Sequence, residues 1–160
     1  REITNGVGEG LYGPDLTLTR GHVVVLLMRA FGIEPDADPV DNFLDAGDTW
    51  YTGYLGAAKR LGISNGIGDN LYGPELGMKR QDLFTMMYRV LDLLSELPDV
   101  DAGRSLADFG DADEVQEYAR DATSELVKRG IVNGSGGRIE PTGISTRAQM
   151  AQVLYNLLTK

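Results

Sequence analysis

The chain of 160 residues contains no cysteine and a single histidine, His22. The first absence excludes a disulfide frame, thiolate chemistry and cysteine-bound zinc. The second leaves little room for a histidine-rich metal site or a histidine-dependent triad. Long apolar runs are missing too: none approaches the ~18 residues that span a bilayer. Positive charge is in deficit, with 15 Lys and Arg against 24 Asp and Glu and a formal net charge of −9. Such a chain has no long-range attraction for nucleic acid or for an anionic membrane, although a local cationic pocket is compatible with it. The opening residues, Arg1-Glu2-Ile3-Thr4, are not a signal peptide and read as a cut made inside something longer. What is present is an apolar fraction of 42%, enough for a compact domain with a real core, and a set of glycines that recur in a pattern.

That pattern is an internal repeat. Residues 3–20, ITNGVGEGLYGPDLTLTR, align without a gap on residues 63–80, ISNGIGDNLYGPELGMKR. A third copy, IVNGSGGRIEPTGISTR at 131–147, keeps Ile131, Asn133, Gly134, Gly136, Pro141 and Arg147 with one residue deleted in the loop. Each copy precedes an apolar stretch of helical character, at 23–31, 83–94 and 150–158. Copies two and three also follow a helix candidate. In 49–62, Tyr51, Leu55, Ala58 and Leu61 share a face; in 113–130, Val115, Tyr118, Ala122, Leu126 and Val127 do. Gly62 and Gly130 stand where a left-handed C-cap ends each of them. Copy one has no such helix, because Arg1 aligns with Leu61. The unit is therefore helix, Gly-rich loop, Gly/Pro turn, helix, with Leu71-Tyr72 as a very short extended piece. Acidic, proline-containing linkers at 34–42 and 95–105 separate three segments: 1–33, the second half of a first repeat; 43–95, a second repeat; and 106–160, a third. Together they are expected to make one compact, mostly α domain.

This arrangement resembles the S-layer homology (SLH) family. The residues that carry the resemblance in copy two are FLDAGDTW (43–50), GISNG (62–66), LYGPEL (71–76) and MKRQD (78–82). In copy three they are LADFGDADEV (106–115), GIVNG (130–134), RIEP (138–141) and STRAQ (145–149), and in copy one LYGP (11–14) and LTRGH (18–22). There are departures. Lys79 replaces the threonine before Arg80, Tyr118 falls where copy two has Trp50 after an insertion, and Gly21-His22 follow Arg20. The resemblance implies a pseudo-threefold, three-prong spindle of helix–loop–helix units, here with the first unit lacking its first helix. It also implies a non-catalytic, extracellular module that anchors a larger protein by binding a secondary cell-wall polymer, an anionic and often pyruvylated polysaccharide, in grooves between prongs.

Arg20, Arg80 and Arg147 occur at the same place in every copy, in the first turn of a helix candidate. A cation there opposes the helix dipole at a cost of roughly 0.3–1 kcal/mol when exposed, which points to an anionic partner. Guanidinium with helix-terminal N–H groups makes a good carboxylate receptor, and a pyruvate-ketal carboxylate suits it. The competing reading pairs each arginine with an internal acid such as Asp45 or Asp108, and both can hold together. Asp45 and Asp108 are otherwise helix caps. Thr19 and Thr146 stand at N-caps, and Gln149 completes a capping box with Thr146. Trp50 and Tyr118 either stack on a sugar ring or are core aromatics. Gly66 and Gly134 serve turn geometry or let a sugar approach the backbone. His22 is a surface or groove residue.

Other chemistries find little support. The glycine loops lack the Gly-Lys-Ser/Thr of a phosphate loop and the ligand spacing of an EF-hand, and DADE at 111–114 reads as a solvated helix start rather than a Ca²⁺ site. No cofactor, metal site or catalytic residue is expected. Paired carboxylates mean little in so acidic a chain, so a glycosidase ranks last. The alternative to a polysaccharide anchor is a structural or protein-interaction repeat, and the incomplete first repeat suggests self-association.

Overall fold

The apolar runs form helices that begin three residues before the runs themselves. The computed structural model describes residues 13–158, with α1 (Arg20–Ala30), α2 (Thr52–Arg60), α3 (Arg80–Leu93), α4 (Glu117–Lys128) and α5 (Arg147–Leu158). Two 3-10 turns, Leu106–Asp108 and Ala112–Glu114, precede α4. The described residues contain isolated β-bridges but no strand, so the fold is mostly α as expected. The loop of the first copy up to residue 12 lies outside the described residues.

The chain divides into two compact units, residues 1–78 and 79–160. In the first, the β-branched run Val23-Val24-Val25 is helical and buried. Thr19 opens α1 in an extended conformation, and its hydroxyl accepts from the His22 N–H at 3.3 Å. α2 buries Tyr54, Leu55, Ala57 and Ala58, and ends at Gly62 in the left-handed conformation (φ +71°). The loop after it returns to the start of α1. There Thr19 bridges Gly77, and the Met78 N–H donates to the Leu18 carbonyl at 2.9 Å. The core holds Leu18, Leu27, Met28, Leu55, Ile63, Tyr72 and Met78.

The second unit repeats this plan. α3 buries Leu83, Phe84, Met87 and Leu91; α4 buries Leu126 and Val127; and the loop after α4 brings in Ile131 and Ile139. Lys79 bridges Ile144, as Thr19 bridges Gly77. α4 starts at Glu117 rather than at residue 113, because Gln116 is held extended by a reciprocal amide pair with buried Gln81. The Gln116 N–H and the Gln81 side-chain amide donate to each other's Oε1 at 3.0 Å. α5 has the expected capping box: the Thr146 N–H donates to Gln149 Oε1 at 3.0 Å and the Gln149 N–H to Thr146 Oγ1 at 3.3 Å.

Candidate ligand-binding site

Each unit joins an arginine at a helix start to the turn of the following copy. In the first unit Arg20 is only 5% exposed. Its Nε donates to the Tyr72 carbonyl at 2.8 Å, its guanidinium lies 4.7 Å from the centroid of the Tyr72 ring, and one terminal nitrogen reaches Met78 Sδ at 3.8 Å. The Tyr72 hydroxyl donates back to the Arg20 carbonyl at 3.0 Å. Asp45 holds the turn from the other side, accepting from the Tyr72 and Gly73 N–H groups at 2.8 and 2.7 Å. Asp45 is thus a turn clamp and not a helix cap.

In the second unit Arg80 Nε donates to the Ile139 carbonyl at 2.8 Å. The clamp is Asp111, fully buried, which accepts from the Ile139 and Glu140 N–H groups at 2.9 and 2.7 Å. Asp108, the residue singled out in the sequence, instead accepts from the Ser105 N–H at 2.7 Å in a local capping box. The signal that identifies Asp111 is the Phe-x-Asp spacing shared by Phe43-Leu44-Asp45 and Phe109-Gly110-Asp111. Burial alone would raise the Asp111 carboxyl. The two backbone N–H groups and the nearby Arg138 charge outweigh it and hold the group below the usual carboxylate value.

The side chain at the turn decides what the arginine meets. Ile139 stands where Tyr72 covers Arg20, and Arg80 is half-buried rather than buried. It reaches a cavity of about 310 Å³. One wall is the α5 face of Gln149, Gln152, Val153 and Asn156, at helical spacing; another is the loop Ile131–Ser135, including Gly134. Burial pulls the Arg80 guanidinium below its ordinary value, while the charges of Glu140 and Asp111 pull it back up. A partly desolvated cation, with the Glu140 carboxylate on the same wall and neutral amides and apolar groups around it, can pair with an acidic group of a polyhydroxylated ligand.

The helix-terminal N–H groups do not complete this receptor, contrary to the sequence expectation. Those of Arg20 and Gly21 donate to the Leu76 and Pro74 carbonyls, each at 2.8 Å. Those of Arg80 and Gln81 donate to Gly143 and Pro141 at 2.9 and 3.0 Å. The neighbouring turn has taken the donors, which leaves the guanidinium as the cationic element.

Trp50 and Tyr118 are 55% and 54% exposed, so neither is a core aromatic. The Trp50 ring lies 5.2 Å from His22 and 5.1 Å from Tyr51, and the Tyr118 hydroxyl donates to Asp82, which follows Arg80 as His22 follows Arg20. Tyr118 and Asp108 do not line the Arg80 cavity. Gly66 and Gly134 have positive φ (+76° and +63°). A Cβ on Gly66 would lie 2.2 Å from the Leu71 carbonyl oxygen, and one on Gly134 2.6 Å from the Phe109 ring. Both glycines are required by the turn, and Gly134 also forms part of the cavity wall. Arg147 opens α5 and is half-buried. No cluster of metal-ligating side chains occurs among the described residues.

The class defined by these features is a helical repeat module, in which a helix-start arginine and an aspartate clamp the turns of the second and third copies. The S-layer homology domain pattern matches residues 42–84 and 108–151, more than half of the chain, and the chain belongs to that family. It is similar over its whole length to an exoglucanase, XynX, from Acetivibrio thermocellus (29% identity) and to an amylopullulanase from Thermoanaerobacterium thermosulfurigenes (30%). It is also similar, over 93% of its length, to S-layer protein EA1 of Bacillus anthracis (25%). The chain spans only 14%, 8% and 17% of these relatives. Family membership places it at the bacterial cell surface, in association with the wall. No helix among the described residues is long and apolar enough to cross a membrane.

Proposed function

We propose that the chain is a non-catalytic anchoring module that holds a larger protein on the wall by binding an anionic, pyruvylated secondary cell-wall polysaccharide. The observation that carries this reading is the Arg80 cavity, a half-buried guanidinium facing amide side chains on one face of α5. The distribution of relatives supports it. Proteins named as glucanase, amylopullulanase and S-layer protein match this chain through a small fraction of their length, as expected of an attachment shared by proteins with different work. The binding set comprises Arg80 and Gly134 in that cavity, with Arg20, Arg147, Asp45, Asp108, Trp50, Tyr118 and Gly66 as the remaining candidates. The three segments 1–33, 43–95 and 106–160 then form a pseudo-threefold spindle, with self-association as a further candidate property.

A second reading, a structural or protein-interaction repeat without sugar binding, is favoured at one place. Arg20 is buried against Tyr72 and Met78, an arrangement that favours bracing over ligand contact there. Co-sedimentation with purified Gram-positive wall sacculi, with and without their polysaccharide stripped, tests the proposal. The chain should pellet with intact sacculi, and Arg80→Ala should abolish pelleting while keeping the helical circular dichroism of the parent. Failure of the parent to pellet would leave the structural reading in front.

A further inference from the structure

In the turn of copies one and two, the residue before the proline is Gly13 or Gly73, both with positive φ (+62° and +70°). In copy three the same position is Glu140, and its φ is +55°. A side chain with a Cβ is strained there, and Asp111 Oδ2 holds it in place by accepting from its N–H at 2.7 Å. The carboxylate that the strain installs is exposed and makes no hydrogen bond or ion pair among the described residues. It lies on the wall of the Arg80 cavity. Its charge acts on the Arg80 guanidinium across the cavity. The two side chains flank one point: a Cβ built on Gly143 would be 3.6 Å from Arg80 Cδ and 3.7 Å from Glu140 Cβ.

A ligand bearing only an acidic group would meet Arg80 favourably and Glu140 unfavourably. A ligand bearing an acidic group and an ammonium would meet both favourably, in a cavity also lined by the amides of Gln149, Gln152 and Asn156. We infer that Glu140 makes the Arg80 cavity selective for an acidic saccharide that also carries a free, protonated amine. The inference rests on the wall-polysaccharide reading above and specifies its substrate class. The first unit has no counterpart, since its turn carries Gly73, and the nearby Glu75 is engaged by the Tyr51 hydroxyl at 2.9 Å.

Calorimetric titration with a synthetic pyruvylated amino-sugar disaccharide, in free-amine and N-acetylated forms, tests this alongside sacculus co-sedimentation. The whole chain should bind the free amine about tenfold more tightly. Glu140→Gln should bind both forms alike. So should Glu140→Gly, which restores the residue of the other copies and relieves the backbone, and therefore folds at least as well as the parent. Equal affinity of the parent for both forms, a preference that persists in Glu140→Gly, or pelleting with sacculi without binding either disaccharide would overturn the inference while the anchoring reading stands. Binding to neither sacculi nor disaccharide would overturn both.

Discussion

Asp111 accepts two successive backbone N–H groups from inside the protein, and an asparagine there could satisfy only one of them. Asp111→Asn should lower the unfolding free energy by about 1–3 kcal/mol, read from urea or thermal melts. The pH dependence follows from the same geometry. The folded carboxyl is held below its unfolded value of about 3.9, so its stabilisation is complete above that value and is lost as pH falls through the folded one. Melts below about pH 4 should show a steep loss of stability in the parent and a shallower one in Asp111→Asn. Gly66→Ala belongs to the same scale. Its Cβ would strike the Leu71 carbonyl, so it should destabilise by more than the ~1 kcal/mol of an ordinary Gly/Ala difference, with a melting temperature well below that of the parent. Gly66 and Gly134 were legible in the sequence because a Cβ at either would strike the neighbouring backbone. Asp111 was not, because an insertion shifts copy three and puts Asp108 forward as the match. The burial of Arg20 was hidden for another reason: it depends on Tyr72, fifty-two residues away, closing over the guanidinium.

Among the helices, the apolar cores and the capping threonines were readable, since both depend on near neighbours. The start of α4 was not, because it is set by Gln81 on another helix. α3 departs from its two counterparts at the cap. Lys79 has the extended N-cap conformation (φ −66°, ψ 145°) but no side-chain oxygen, whereas Thr19 and Thr146 each accept an N–H at 3.3 Å. Lys79→Thr should therefore stabilise by about 0.5–1 kcal/mol, a rise in urea midpoint at unchanged denaturant slope. No change in the midpoint would mean that the Gly143 and Pro141 carbonyls already satisfy the start of α3 without a side chain.

At the scale of the whole chain, the period of the sequence and the period of the packing differ. The repeats begin at the linkers, yet the compact units divide between Met78 and Lys79, inside the second repeat. The reason is chemical. The first N–H groups of α1 and α3 donate to the turn of the following copy, and the arginine beside them donates to the same turn. A packed unit thus takes its first helix from one repeat and its glycine loop from the next. A fragment cut at the repeat boundaries, residues 43–95, would have the Asp45 clamp without Arg20, and the start of α3 without the Gly143 and Pro141 carbonyls that accept from it. A fragment of residues 79–160 keeps α3, its accepting turn and the Asp111 clamp together. The second fragment should give a helical circular dichroism spectrum and a cooperative melt, and the first should give neither. A cooperative melt from residues 43–95 would show that helix pairing within a repeat suffices, and that the arginine and its turn are an addition to a unit that already folds.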